Sequence, residues 1–230
     1  AAGYQAALQR LLPAADPARI AAICITEKGG PHPACIQCRL KTDTEIASRW
    51  RLDGTKAFVT GAGEAEILYV AASTGMTSQG RNILRMVSVP ADSAGVTVVP
   101  RPSLGMVPEM PHGQVRFEAV SLAHDALWPG DGYTGAIKPF RTLEDLHVTG
   151  AFLGWVFAVG RRFGWPASTK ETMVGSTCRL FITFSKNFVK PLAIHRPTTK
   201  TTTAAMTLSP YMVNNSHTFE TKPSISDLLC

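Results

Sequence analysis

The sequence has little charge, few aromatic residues and no apolar run of membrane-spanning length. Charged residues make up 17% of its 230 residues and aromatic residues 8%. The longest apolar stretch, residues 146–160, is interrupted by His147 and Thr149 and is too short to cross a bilayer, so we expect no membrane span. No charged and then apolar leader opens the chain, which predicts that it carries no signal peptide.

Cysteine is scarce and unevenly placed. Five cysteines, an odd number, do not form the disulfide framework of a small secreted domain, so we expect a reducing, cytoplasmic environment. Cys35, Cys38 and the nearby His32 leave a metal or redox site open. A zinc site usually has a second pair of ligands, and a redox pair usually lies at a helix N-terminus. Ordinary loop or strand cysteines are therefore the favoured interpretation, and no metal is expected.

The net charge of +6 comes from one end of the chain. Residues 1–160 carry 14 Lys and Arg against 14 Asp and Glu, whereas residues 161–230 carry 9 against 3. A nucleic-acid-binding surface normally clusters its cations on a folded face with interleaved aromatic residues. Here the cations stand singly among threonines and serines, so we expect no nucleic-acid partner.

Most of the hydrophobic pattern predicts short strands. Apolar alternation and turn signals indicate a β-barrel or sandwich core flanked by α-helices. The predicted strands lie within residues 21–27, 48–60, 66–72, 82–89, 95–99 and 114–120. Residues 1–12 have helical spacing, and residues 142–163 predict a second helix with Thr142 as its N-cap and Asp145 as a capping-box carboxylate.

The stretch of residues 49–60, RWRLDGTKAFVT, carries the strongest local signal. Asp53 and Gly54 predict a tight hairpin turn, because a primed turn needs positive φ and these residues accept it. On the returning strand, alternation places Phe58 and Thr60 together on one face. An ordinary hairpin with Phe58 in the core is the alternative interpretation.

This stretch resembles the middle domain of the acyl-CoA dehydrogenase family, in which Asn-Gly-x-Lys-x-(Trp/Phe)-(Ile/Val)-Thr lies against the flavin. Gly-Thr-Lys-Ala-Phe-Val-Thr is the matching run here. The resemblance implies that Phe58 packs near the isoalloxazine ring, and that the Thr60 hydroxyl bonds the ring nitrogen that receives hydride. It also implies that Val59, between them, belongs to the FAD-binding segment.

A second match follows from residues 21–27, AAICITE, because the family has a strand that ends in Thr-Glu. The resemblance implies that Ile23, Ile25 and Thr26 face the FAD. The chain then departs from the family, since Pro31 and Pro33 stand near its Gly-Ser-Asp and lack backbone donors.

The later matches keep the family order. A Gly-Val-Thr strand, a Val-x-Phe strand and Gly130-Asp131-Gly132-Tyr133 follow one another. In some branches of the family, the first C-terminal helix carries the carboxylate that removes the α-proton, and Glu144 aligns with it. The resemblance thus implies that Glu144 is catalytic. The alternative is that Glu144 and Asp145 only complement the helix N-terminus.

The function that the resemblance implies is FAD-dependent α,β-dehydrogenation of an acyl-CoA to a 2-enoyl-CoA by an incomplete copy of such an enzyme. Acyl-CoA as substrate, an electron-transfer acceptor protein and a homo-oligomer are the implied partners. A non-catalytic β-barrel remnant or an unrelated binding module without flavin chemistry is the alternative.

The implied domains change character near residue 167. Residues 1–20 would be the remnant of an N-terminal helical domain, 21–139 the β-barrel domain and 140–166 the first C-terminal helix. Residues 168–230 hold 12 threonines and 7 serines with no sustained period. We therefore expect 167–230 to be an atypical tail, either disordered or translated out of frame.

Overall fold

Strands dominate the middle of the chain and helices lie on either side of them in sequence. The computed structural model describes residues 1–12, 15–43, 48–102, 105, 110–169, 171–176 and 179. The main elements are α1 (Ala2–Leu11), β1 (Ala21–Cys24), β2 (Arg39–Thr42), β3 (Arg49–Thr60), β4 (Ile67–Met76), β5 (Asn82–Pro90), β6 (Val96–Pro100), β7 (His112–Ala123) and α2 (Lys138–Arg162).

The seven strands form one curled, mixed sheet. Its main path runs β1-β4-β2-β3-β7-β6, and β5 pairs with β4. β1 is parallel to β4, while β4–β5, β2–β3, β3–β7 and β6–β7 are antiparallel. This curled half-barrel with flanking helices confirms the predicted fold class.

Both faces of the sheet are covered where β4 passes through it. Leu68 and Val70 are fully buried in the cluster on the inner face of the curl, and Tyr69 and Ala71 are buried in the cluster on the helix side. This alternation follows from the two-residue period of a strand. The helix-side cluster also holds side chains of α1, of the residue before α2 and of the start of α2: Tyr4, Ala7, Leu8, Leu11, Ile137 and Phe140.

The helices meet at a glycine. A Cβ added to Gly3 would lie 2.5 Å from the carbonyl oxygen of His147 in α2. Only a residue without a side chain permits this approach. Among the described residues, no helix combines the length and the apolarity that a bilayer crossing needs.

The predicted hairpin at Asp53-Gly54 is wrong, because β3 runs through both residues. β7 carries an extra residue opposite them, Ala119, with φ of 53°. The Asp53 carboxylate accepts the Ala119 N–H at 2.7 Å. Gly54 has φ of 145°, and a Cβ on it would lie 2.6 Å from the Cα of Cys38. The Asp-Gly pair therefore serves a β-bulge and a close crossing rather than a turn.

The second helix starts earlier than the sequence predicted. A single π-helical turn, Tyr133–Ile137, leads directly into α2 at Lys138. Asp131 is the cap, since its carboxylate accepts the Thr134 N–H at 2.7 Å and the Thr134 hydroxyl at 2.8 Å. Thr142 is thus inside the helix and is not its N-cap.

Two further differences concern short segments. The short strand β2 has no counterpart among the predicted strands, because only Leu40 of its four residues is buried and no alternation develops. In the predicted tail, the described residues 167–169 and 171–176 are helical. The rest of the tail prediction lies outside the described residues.

One buried ion pair ties the sheet together. Lys56, fully buried, donates to Glu27 with 2.7 Å between Nζ and Oε1, and Glu27 is itself only 7% exposed. The same Glu27 carboxylate accepts the N–H groups of Gln37 at 2.8 Å and Cys38 at 3.0 Å, and Lys56 also donates to the Ile25 carbonyl at 3.2 Å. The pair joins β3 to two loops.

We predict that Lys56→Met lowers the free energy of unfolding by about 3–5 kcal/mol, because it leaves the Glu27 carboxylate buried and uncompensated. Urea unfolding followed by circular dichroism measures the loss. Arg116→Met, which breaks the exposed Arg116–Glu118 pair of β7, is the matched control and should cost about 0–1 kcal/mol. Equal losses in the two variants would contradict the assignment. Adding Glu27→Gln to Lys56→Met should lose less than the sum of the single changes.

Candidate functional site

A cavity of about 800 Å³ lies where the end of β1, the second half of β3 and the start of α2 meet. Six of the seven residues that the sequence singled out line it: Ile23, Ile25, Thr26, Phe58, Thr60 and Glu144. These residues come from three segments that are far apart in the chain. The structure thus brings the sequence-predicted set together in one place.

Val59 is the exception. Its side chain is fully buried in the inner-face cluster, and it does not line the cavity. A second bulge explains the difference: Lys56 pairs with Val115 and Val59 with Gly113, so β3 has one extra residue here. The bulge turns Lys56 and Val59 inward together and leaves Phe58 57% exposed.

The strand end that follows β1 is held against β3. The Thr26 carbonyl accepts the Ala57 N–H at 2.8 Å. On either side of Thr26, the Ile25 carbonyl and the Glu27 carboxylate accept bonds from Lys56. Three bonds therefore fix Ile25 and Thr26 beside Phe58. Sequence reasoning assigned no role to Lys56 or Glu27, although both belong to the matching motifs.

Phe58 presents an aromatic ring to the cavity wall. The guanidinium carbon of Arg101 lies 4.1 Å from the ring centroid, and Arg101 Nη1 donates to the Ala57 carbonyl at 2.9 Å. Thr60, two residues further on, pairs in the ladder with His112 of β7. The position of Arg101 carries no local signal in the sequence, because it depends on how β6, β7 and β3 pair.

Glu144 reaches the cavity from the second turn of α2. Burial raises the pKa of its carboxyl group above the ordinary range, and the neighbouring charge of Asp145 raises the pKa further. Because α2 begins at Lys138, Glu144 lies beyond the first turn, where helix-dipole stabilisation is strongest. The helix-terminus interpretation of Glu144 is therefore weakened.

Tyr4 of α1 closes one side of the cavity. Its hydroxyl accepts the Ile23 N–H at 3.0 Å, and its ring packs edge-on against Phe140 with 5.9 Å between centroids. Burial is the main cause that raises the pKa of Tyr4. The tyrosine therefore stays a neutral wall that orients the end of β1.

The segment after Glu27 lines the cavity through Pro31, His32 and Pro33. The two prolines have no N–H to offer a ligand. His32 Nδ1 accepts the Ala34 N–H at 3.2 Å, so in the neutral ring the remaining proton is on Nε2. Lys138 and Arg141 of α2 also line the cavity and bring two positive charges to it.

Cys35 and Cys38 lie apart from this cavity. They line a second, open cavity of about 1150 Å³ together with Lys28, Arg101 and Phe58. Cys38 is 1% exposed, and burial raises the pKa of its thiol to about 11, which disfavours the reactive thiolate. Among the residues that the structure describes, no group of three or more His, Cys, Asp or Glu side chains is placed to hold a metal ion.

Comparison with solved structures shows which known proteins share this fold. The chain is similar to many solved structures, among them the following three. Glutaryl-CoA dehydrogenase from Mycobacterium smegmatis has a TM-score of 0.52 at 19% identity, with 81% of this chain and 52% of that chain covered. Butyryl-CoA dehydrogenase from Megasphaera elsdenii has 0.50 at 18%, with 74% and 47% covered. An FAD-dependent dehydrogenase has 0.51 at 17%, with 73% and 47% covered.

These likenesses concern the fold, and the chain spans about half the length of the structures it matches. No curated protein sequence matches the chain. The sequence model described as "Acyl-CoA dehydrogenase, middle domain" matches residues 22–120, which cover β1 to nearly the end of β7. Residues 22–120 therefore form an acyl-CoA dehydrogenase-like middle domain.

Proposed function

We propose that the chain is an FAD-dependent acyl-CoA dehydrogenase-like protein, in which the 800 Å³ cavity holds the flavin ring and the thioester end of an acyl-CoA. One observation carries this proposal. Thr26, Phe58, Thr60 and Glu144 line one cavity although they lie on three separate segments. An aromatic wall, two hydroxyl groups and one carboxylate are the groups that the family's reaction needs.

The residues present fit a flavin ring. The exposed face of Phe58 offers a stacking surface, Ile23 and Ile25 offer apolar walls, and Thr26 and Thr60 offer hydroxyl groups to ring atoms. The cavity also has the size of an ordinary cofactor pocket, for which about 300–1,000 Å³ is typical. At the phosphate end, Lys138 and Arg141 supply positive charge where Pro31 and Pro33 supply no N–H.

In the proposed reaction, Glu144 acts as the general base. The α C–H bond of the acyl thioester breaks with its proton on a Glu144 carboxylate oxygen, and its electron pair forms the new double bond as the β-hydride leaves. FAD, when bound, supplies the hydride acceptor, so the product is a 2-enoyl-CoA. The raised pKa of Glu144 makes it a stronger base than an exposed glutamate.

The proposal extends to partners. After the reaction, the reduced flavin must pass its electrons to another protein before the next turnover. The family resemblance supports an electron-transfer acceptor protein in this role. The same resemblance supports a homo-oligomer. Acyl-CoA is the proposed substrate class, with its thioester end toward Glu144.

A second candidate function is a β-domain that keeps the fold without retaining flavin. Pro31 and Pro33 favour it. Backbone N–H groups are common ligands of phosphate, and neither proline has one. The absorbance spectrum of the purified protein decides between the two. An absorbance band at the wavelengths typical of flavin supports the enzyme. A colourless protein that also takes up no added FAD supports the β-domain without flavin.

Thr60→Val should weaken FAD binding about fivefold, the equivalent of one hydrogen bond of about 1 kcal/mol. The change keeps the shape of the side chain and removes its hydroxyl. FAD titration of the flavin-free protein measures the affinity, and Thr97→Val on the exposed side of β6 is the control. If Thr60→Val unfolds the sheet and leaves the affinity of the folded fraction unchanged, the hydroxyl has a structural role.

Glu144→Gln should abolish the bleaching of bound flavin by acyl-CoA under anaerobic conditions. The amide keeps the size of the side chain but cannot accept the α-proton. The flavin itself should stay bound, because Glu144 is not among the groups proposed to hold the ring. Bleaching at the wild-type rate in this variant would rule out Glu144 as the base.

Glu144→Gln should also stabilise the fold at neutral pH. Since the pKa of Glu144 is raised in the folded protein, its contribution to stability is full below the ordinary range of about 4.3 and is lost as pH rises through the raised value. The difference in free energy of unfolding, variant minus wild type, should therefore grow as the pH rises from about 4 through the raised pKa of Glu144. Glu64→Gln, at an exposed turn position, serves as control. A difference that does not change with pH would contradict the burial of a charged Glu144.

A further inference from the structure

We propose that Arg101 is a positioning residue that locks the ring of Phe58 and places a positive charge behind the flavin stacking surface. The inference deepens the proposed function and rests on it for the part that concerns flavin. It assigns a role to a residue outside the motifs that carry the family resemblance.

Arg101 makes two contacts with two adjacent residues of the β3 bulge. Its guanidinium carbon lies 4.1 Å from the centroid of the Phe58 ring, and its Nη1 donates to the Ala57 carbonyl at 2.9 Å. A guanidinium over an aromatic face is an attractive cation–π arrangement. Phe58 is 57% exposed, so the hydrophobic core alone does not determine the orientation of its ring.

The backbone around Arg101 is tied to the same ladder as the site. Its N–H donates to the His112 carbonyl at 2.9 Å, and His112 is the ladder partner of Thr60. Arg101 follows directly on β6, which pairs with β7. The guanidinium is therefore presented from the strand system that also holds Thr60, and its position does not depend on a free loop.

Phe58 separates Arg101 from the proposed flavin site. Phe58 lines both the 800 Å³ cavity and the 1150 Å³ cavity, whereas Arg101 lines only the larger one. A ligand stacked on Phe58 from the smaller cavity would thus have the cation beyond the ring. The aromatic ring is the wall between the ligand and the charge.

The charge of Arg101 is available to act on such a ligand. Arginine stays protonated at all physiological pH values. Among the described residues, no carboxylate lies within ion-pair distance of Arg101. A positive charge near a group that gains electrons favours the reduced form. We therefore expect Arg101 to strengthen flavin binding and to raise the reduction potential of the bound flavin.

Lys28 offers a matched control. It is a second cation on the wall of the 1150 Å³ cavity, but it makes no cation–π contact among the described residues. Lys28→Gln removes the same unit of charge from the same cavity without touching the ring. Arg101→Lys keeps the positive charge and removes the planar guanidinium group. It therefore separates the effect of the charge on flavin from the contact that holds the Phe58 ring.

The first experiment tests the ring lock in the flavin-free protein. Fluorophenylalanine is incorporated at the ten phenylalanine positions, and the ¹⁹F resonance of Phe58 is assigned from its loss in Phe58→Leu. We expect the resonance to shift and sharpen in Arg101→Gln, to change in part in Arg101→Lys, and to stay unchanged in Lys28→Gln. An unchanged resonance in Arg101→Gln would overturn the lock whether or not the protein binds flavin.

The second experiment tests the effect on flavin. FAD titration should show about twofold to fivefold weaker binding in Arg101→Gln, the size of an exposed cation–π contact. The ratio of reduced to oxidised flavin at a fixed potential should fall by a similar factor of about two to five. Arg101→Lys should keep this ratio, and Lys28→Gln should keep both quantities.

The outcomes separate the inference from the proposed function. Wild-type affinity and wild-type redox ratio in Arg101→Gln, with FAD bound normally, overturn the role of Arg101 and leave the flavin site in place. Equal losses in Arg101→Gln and Lys28→Gln overturn the specific contact with Phe58. If the wild-type protein takes up no FAD, the proposed function and the charge effect both fall, and the ¹⁹F measurement alone decides the lock.

Discussion

The candidate site depends on the buried ion pair between Lys56 and Glu27. Taking both charges out of water is costly, and only good geometry with further hydrogen bonds offsets that cost. Here the Glu27 carboxylate receives Lys56 and two backbone N–H groups, and Lys56 also reaches the Ile25 carbonyl. These bonds hold the segment after β1 against β3. Thr26 and Phe58 therefore lie close together at the cavity, and the ion pair fixes the segments that carry them.

The cavity is assembled from features that do not maximise stability. Phe58 is held out of the core by a bulge, and Glu144 is half-buried beside another carboxylate. A β3 without this bulge would place Phe58 on the same face as the buried Lys56 rather than at the cavity. Such departures from the most stable arrangement are typical of functional sites. The rest of the sheet is well packed on both faces, which allows the fold to accommodate them.

Much of the fold was predictable from short-range patterns. The strands around residues 67–72 and 82–89 alternate or are continuously apolar, and a strand places alternate side chains on opposite faces whatever its partners are. Two predictions failed where local rules compete with pairing. Asp53-Gly54 is typical of a tight turn, but here it lies opposite a bulge in β7 and Asp53 accepts a hydrogen bond from that bulge. The helical segment begins with the π-helical turn capped by Asp131, and α2 follows at Lys138, upstream of the start that the apolar stripe predicted at Thr142.

The sequence by itself determined which residue types the site contains. Thr26, Phe58, Thr60 and Glu144 could be singled out because the motifs around them resemble those of a known family. Only the tertiary structure decided that they share one cavity, that Val59 points into the core, and that Arg101 covers Phe58. The physical reason is that these facts arise from strand pairing, from one extra residue in each of two strands and from a buried ion pair. All three join residues that are distant in the chain, and no local pattern encodes them.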